Sequence, residues 1–144
     1  MVLLSGFDEG SVTETGLTAF VDIKSGDIFF DAAAGGVPGI VALEYMAQTV
    51  ACFAGVSAAR EHRAPQVGLV LGSRKLDIRV PFFKLGVRYL ISSKLLFTDE
   101  AFASFEASVT APDGSLAAQC ILNCYQPVEE AAFLSKMLAE GATA

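Results

Sequence analysis

The sequence predicts an α+β domain in which an antiparallel sheet wraps around one long central helix. Three observations carry the prediction: a nearly unbroken apolar helical stretch from Val37 to Gly55, an alternating strand pattern before it, and strand-length segments separated by turn residues after it. At 144 residues the chain is long enough for one domain with a proper core, and residues 1–144 are expected to form it.

Met1 to Phe7 is a short apolar start, and Asp8-Glu9-Gly10 reads as a turn. From Val12 to Ile23 the residues alternate, with Leu17, Ala19, Val21 and Ile23 on one face and Thr18, Phe20 and Asp22 on the other, which marks a half-buried strand. Lys24-Ser25-Gly26-Asp27 turns the chain, Ile28-Phe29-Phe30 is a short apolar element, and the run from Ala33 to Gly36 leads into the helix.

Pro38 suits a first helical turn, because its missing N–H is a donor that a helix start leaves unsatisfied anyway. The helix is therefore expected to begin near Pro38. Ile40, Leu43, Ala47, Val50 and Ala54 recur at helical spacing, but Val41, Tyr45, Cys52 and Val56 make the opposite face nearly as apolar. Such a helix expects cover almost all round. Its pattern ends at Arg60-Glu61-His62-Arg63, and Pro65 is a firm stop. Length alone would let residues 32–59 cross a bilayer. Glu44, Gln48, the Ala/Gly-rich composition and the strand patterns on both sides argue for a buried core helix and against a membrane span.

After Pro65 the pattern changes to strands: Val67 to Val80, bent or bulged near Gly72, then Val87 to Phe97, Ala101 to Ala111 and Leu116 to Tyr125. Lys84-Leu85-Gly86, Thr98-Asp99-Glu100 and Pro112-Asp113-Gly114 supply the turns, and short turns between successive strands make an antiparallel sheet. Pro127 ends the last strand, and Val128 to Glu140 reads as a short amphipathic helix through Ala132, Phe133, Met137 and Leu138.

A hydrophobic content of 53% is high for a soluble monomer and points to an oligomer interface as well as a buried core. The net charge of −6 argues against a general nucleic-acid binder while leaving room for a local basic patch. Cys52, Cys120 and Cys124 form no framework of pairs, and Met1-Val2-Leu3-Leu4 runs at once into Ser5, Gly6 and Asp8 without a signal-peptide pattern, so a cytoplasmic location is expected. The chain has one histidine, so no metal site is expected and the cysteines read as core residues.

Between Asp31 and Arg60 the only charged side chain is Glu44. Burying a lone carboxylate is costly unless it is paired, hydrogen-bonded or kept protonated, so an isolated acid in an apolar helix is a candidate site residue. Gln48, one turn on, can hydrogen-bond and orient it. The alternative is a Glu44 that reaches solvent at an edge or meets a basic residue from a strand.

Gly36-Val37-Pro38-Gly39 followed by Leu43-Glu44-Tyr45-Met46-Ala47-Gln48 resembles the hot-dog-fold 3-hydroxyacyl-[acyl carrier protein] dehydratases, most closely their aryl-polyene-type branch. In that family a motif HFPGxPxxPG precedes a helix bearing an acid and an LAQ-like triplet. Without a gap, Pro38-Gly39 fall on the second Pro-Gly, Glu44 on the catalytic acid, Ala47-Gln48 on the AQ, and Phe30 on the histidine. The resemblance covers roughly residues 1–126. It implies a hot-dog fold, and a homodimer with active sites at the interface or a heterodimer with a related dehydratase. The implied substrate is an acyl thioester carried on the phosphopantetheine of an acyl carrier protein, or on CoA, with no other cofactor.

Dehydration needs a base for the α-proton, an acid for the leaving hydroxide, and donors for the enolate-like thioester oxygen. The resemblance assigns the acid to Glu44, its orientation to Gln48, and the donor to the Gly39 N–H at the helix start, where free N–H groups and the positive dipole end coincide. Gly39 reads equally well as a small residue in a tight helix start. Phe30, Val37, Pro38, Phe82 and Phe83 are candidate acyl-binding residues, with core packing as the competing reading for the last two.

No residue here matches the base. His62 is about 27 Å from Glu44 along a helix rising ~1.5 Å per residue, and reads as a solvated terminal histidine. Sequences of the aryl-polyene-type branch carry a Pro-His segment just upstream of an apolar run like Met1-Val2-Leu3-Leu4. Either the base lies upstream of this start or the chain binds without dehydrating. A non-catalytic partner subunit and a thioesterase in which Glu44 activates water are the alternatives. Arg74, Lys75, Arg79, Lys84, Arg88 and Lys94 cluster in the strands after the helix, opposed there only by Asp77. Arg74 and Arg79 are candidate contacts for an acidic carrier protein, or else part of an ordinary solvated strand face.

Overall fold

The computed structural model describes residues 2–62 and 69–125, so the strand start at Val67, the stop at Pro65 and the amphipathic helix at 128–140 lie outside the described residues. The strands are β1 (Gly6–Phe7), β2 (Gly16–Asp22), β3 (Gly36–Pro38), β4 (Leu69–Ile78), β5 (Phe82–Lys84), β6 (Arg88–Asp99), β7 (Phe102–Thr110) and β8 (Leu116–Tyr125), with helix α1 (Ala42–Arg60) between β3 and β4. A six-stranded sheet has the order β1-β2-β6-β7-β8-β4, and β3 pairs with β5 in a small second sheet. Every pairing is antiparallel.

Alternation builds the inner face of the sheet. Leu17, Ala19 and Val21 of β2, Tyr89, Ile91 and Ser93 of β6, Phe105, Ala107 and Val109 of β7, and Ala118, Cys120, Leu122 and Cys124 of β8 are all buried. Against them lies one side of α1, through Ala42, Tyr45, Met46, Thr49, Val50 and Phe53. Met46 Sδ is 3.7 Å from Cys120 Sγ, and the Phe53 and Phe105 rings meet edge to face at 5.8 Å. All three cysteines are free; Cys120 and Cys124 are buried in the core as expected, whereas Cys52 is only half-buried, because it sits toward the open side of α1 and lines a cavity there. Residues Gly39–Arg60 are long and apolar enough to cross a bilayer, with a mean hydropathy of 1.4, but this face is the core of a folded sheet.

Several expectations need correction. The α-helix starts at Ala42, because Pro38 still pairs with Phe82 in the small sheet and Gly39–Val41 form a 3-10 turn. Cover is one-sided: Ile40 is 63% exposed, and Glu44 and Ala51 are exposed on the face away from the sheet. The strand expected from Val12 begins at Gly16, since the Thr13 hydroxyl accepts the N–H groups of Thr15 and Gly16 and folds the segment into a turn. Ile28-Phe29-Phe30 lies in a turn as well, where the Phe30 N–H donates to the Asp27 carbonyl. β4 shifts register between Val70 and Gly72, the predicted bulge, and again between Arg74 and Asp77.

Candidate active site

The open face of α1 carries the helix's one acid. Gln48 Nε2 donates to Glu44 Oε1 at 3.1 Å, the i to i+4 contact the spacing predicted. Gln48 Oε1 meanwhile accepts the Leu3 N–H at 2.8 Å, so one amide ties the N-terminal segment to the carboxylate. A groove of about 330 Å³ runs here, lined by Leu3, Phe29, Ile40, Val41, Glu44 and Gln48. Beyond Gln48 it is followed by a wider cavity of about 520 Å³ that reaches Ala51 and Cys52. The buried-carboxylate argument does not hold within this chain: Glu44 is exposed, because the helix turns it away from the sheet. Its apolar surroundings are instead the uncovered neighbours on the same face.

The assignment of the oxyanion donor to Gly39 is corrected by its hydrogen bond. The Gly39 N–H donates to the Pro81 carbonyl at 2.8 Å and cannot also serve a ligand. Glycine is required there by crowding, since a Cβ would stand 2.1 Å from the Val80 carbonyl oxygen. The next N–H group at this helix start is that of Ile40, which no carbonyl precedes within the helix, and Ile40 lines the Glu44 groove.

The remaining candidates separate into groups. Val37 is buried and walls a cavity on the far side of Leu3 from Glu44. Pro38 stands opposite Phe82 in the β3–β5 pair. Phe83 is a core residue, 0% exposed and stacked edge to face between Tyr45 at 5.5 Å and Tyr89 at 4.8 Å. Phe30, on the position of the family histidine, is half-buried and packs against the core. His62 follows the C-terminal end of α1, exposed and with φ of 54°. None of the described residues near Glu44 is a histidine.

The basic cluster is dispersed by the fold. Arg88 on β6 makes a two-pronged ion pair with Asp22 of β2 at 2.7 and 2.9 Å and lies 4.1 Å above the Phe20 ring. The Arg88 guanidinium holds the Asp22 carboxyl below its ordinary pKa. Arg79 is paired to Asp77 at 2.9 Å. Arg74 is exposed on β4, which β7 and β8 separate from β6. Neither Arg74 nor Arg79 lines the Glu44 groove.

Two contributors escaped the sequence. The Leu3 backbone N–H is 45 residues from Gln48, and no local pattern signals such a contact. Tyr45 read as one more apolar residue, yet it lines a cavity, and burial first, with the nearby Asp27 and Tyr89 adding to it, pushes its hydroxyl up to about 12. Among the described residues no group of three His, Cys, Asp or Glu side chains is placed to hold a metal.

A long helix held in a curled antiparallel sheet, with an acid and an amide paired on its open face, makes this a hot-dog protein. The sequence profile of the ApeP-like family, described as ApeP dehydratase, matches residues 1–135. The chain belongs to the ApeP-like dehydratase family. It is similar to the dehydratase heterocomplex ApeI:P from Xenorhabdus doucetiae, with 30% identity over 92% of this chain and 88% of that one and a TM-score of 0.79. The protein smu.793 from Streptococcus mutans, bound to acetyl CoA, shares the fold at 14% identity and a TM-score of 0.66, over 88% and 92% of the two chains. A hypothetical thioesterase with coenzyme A from Streptococcus pneumoniae does so at 10% identity and a TM-score of 0.66, over 85% and 89%. No curated protein matches the sequence.

Proposed function

We propose that this chain is one half of a two-component dehydratase, supplying Glu44 to an acyl-thioester site that a related hot-dog subunit completes. The observation that carries the reading is the open face of α1, where the Glu44–Gln48 pair stands among uncovered apolar residues with no histidine beside it among the described residues. The similar ApeI:P structure, a dehydratase heterocomplex, supports a pairing of this kind. A homodimer is the competing assembly, and the uncovered face suits either.

The chemistry follows from the groups in place. A base from the second subunit removes the α-proton of a 3-hydroxyacyl thioester, and the electrons move toward the thioester oxygen, which the Ile40 N–H at the helix start would meet. Glu44, as the general acid, gives a proton to the 3-hydroxyl. The C–O bond breaks, water leaves and the α,β double bond forms. Gln48 keeps the carboxyl aimed into the groove. The thioester would arrive on an acyl carrier protein or on CoA, and of the two carrier candidates Arg74 makes no ion pair among the described residues, whereas Arg79 is paired to Asp77. Such a reaction fits a cytoplasmic protein.

The test is a mass-spectrometric dehydration assay on a 3-hydroxyacyl carrier protein, using this chain alone, an ApeI-type subunit alone, and the two together. Water loss by the mixture that falls about 10²- to 10⁴-fold with Glu44→Gln supports the reading. A mixture indifferent to Glu44→Gln overturns it. Water loss by this chain alone would place the base within it, and release of free thiol would favour the thioesterase.

A further inference from the structure

Leu3 and Phe29 line two cavities, the Glu44 groove on one side and a space of about 280 Å³ on the other. The second is walled by Val2, Ile28 and Val37, and its ionisable groups are Asp27 and Tyr45. Tyr45 is 3% exposed, and its ring is held edge to face by Phe83. Its hydroxyl nonetheless makes no hydrogen bond among the described residues. Among those residues the one wholly enclosed side-chain oxygen or nitrogen without a partner is Ser93 Oγ. The Tyr45 hydroxyl, equally unpartnered, therefore still touches open space, and the space that Tyr45 lines is this cavity.

Buried phenols find acceptors, because leaving one unpaired is destabilising. Burial keeps this one protonated to about pH 12, so at ordinary pH it is a donor. Asp27 is held in its turn by the Lys24 N–H, which donates to Oδ2 at 2.9 Å, and it presents an acceptor to the same space. A donor and an acceptor on one small, otherwise apolar cavity match a group that offers both in a fixed arrangement, which is what an amide does.

We propose that Tyr45 and Asp27 bind the second amide of the pantetheine arm of an acyl thioester, the one farther from sulfur, Tyr45 donating to the amide carbonyl and Asp27 accepting the amide N–H, while the acyl group passes Leu3 and Phe29 toward Glu44. The inference rests on the acyl-thioester reading above and adds the residues that recognise the arm shared by CoA and carrier-bound substrates. Tyr45→Phe removes one hydroxyl and keeps the ring that packs on Phe83.

The experiment is calorimetric binding to the full chain of two thioesters with the same acyl group, one of pantetheine and one of N-acetylcysteamine, which lacks the arm's second amide. Tyr45→Phe is expected to weaken the pantetheine thioester about three- to tenfold and to leave the cysteamine thioester within about twofold. Asp27→Asn, in a half-buried turn, is the second variant and should weaken the same ligand. Equal affinity of Tyr45→Phe and the parent chain for the pantetheine thioester overturns the inference, as does equal weakening of both ligands. Failure of the parent chain to bind either also overturns it, while the dehydratase reading stands or falls separately on the dehydration assay.

Discussion

Gly39→Ala probes the junction that sets the start of α1. The new methyl would stand 2.1 Å from the Val80 carbonyl oxygen and 3.0 Å from Ile78 Cγ2. Ordinary contact begins near 3.4 Å, so about 1.3 Å of separation has to be created against the main chain. The Gly39 N–H is bonded to the next carbonyl, of Pro81, at 2.8 Å, so moving the helix start away from Val80 also stretches that bond. Overpacking against a rigid neighbour costs about 1–3 kcal/mol and the hydrogen bond about 1 kcal/mol, which together lower Tm by about 6–12 °C for a domain of this size. Gly55→Ala is the internal control: it lies mid-helix with no heavy atom within 4 Å of its would-be Cβ, and should gain about 0.5–1 kcal/mol. Thermal melts by circular dichroism at one protein concentration read both. A Gly39→Ala protein that melts within a degree or two of the parent refutes the crowding argument and with it the reason given for glycine at that site.

Met46 is wholly buried against Cys120, so Met46→Ala should cost about 2–4 kcal/mol while Met46→Leu costs less than about 1.5 kcal/mol; urea midpoints at an unchanged slope check this. Burial raises the Cys120 thiol from 9.0 to about 11, and burial above all raises the Tyr45 hydroxyl from 10.0 to about 12. Both groups are neutral when folded, so their stabilising share is complete below pH 9 and is lost as pH rises through 9 to 12, where the unfolded chain ionises first. Alkaline melts should show that decline, and Cys120→Ala should make it start later.

Much of this architecture could be read from residue order. Alternation in β2 placed Leu17, Ala19 and Val21 on one face, Cys120 and Cys124 read as core residues, and Gly72 marked the first bulge of β4. The spacing of Glu44 and Gln48 foretold their hydrogen bond. What stayed hidden depends on segments far apart in sequence. Whether Gly39 offers or spends its N–H is decided by Pro81, and whether Arg88 is free is decided by Asp22. Helix cover was overestimated because hydrophobicity reports that a face will be buried, not by which molecule. The strands β3 and β5 are only three residues each, too short for alternation to register.

Among the described residues β4 lies at one margin of the large sheet, bonded there to β8, and no other described strand pairs with its second row of main-chain groups. Two register shifts interrupt that row, and Lys75 between Arg74 and Asp77 adopts φ of 54°. A flat strand laid along this margin would match it only in stretches, losing step at each irregularity. The margin therefore sorts what can lie beside it by contour: a chain with compensating kinks can be added along its full length, whereas the straight segments that seed amyloid-like stacking cannot.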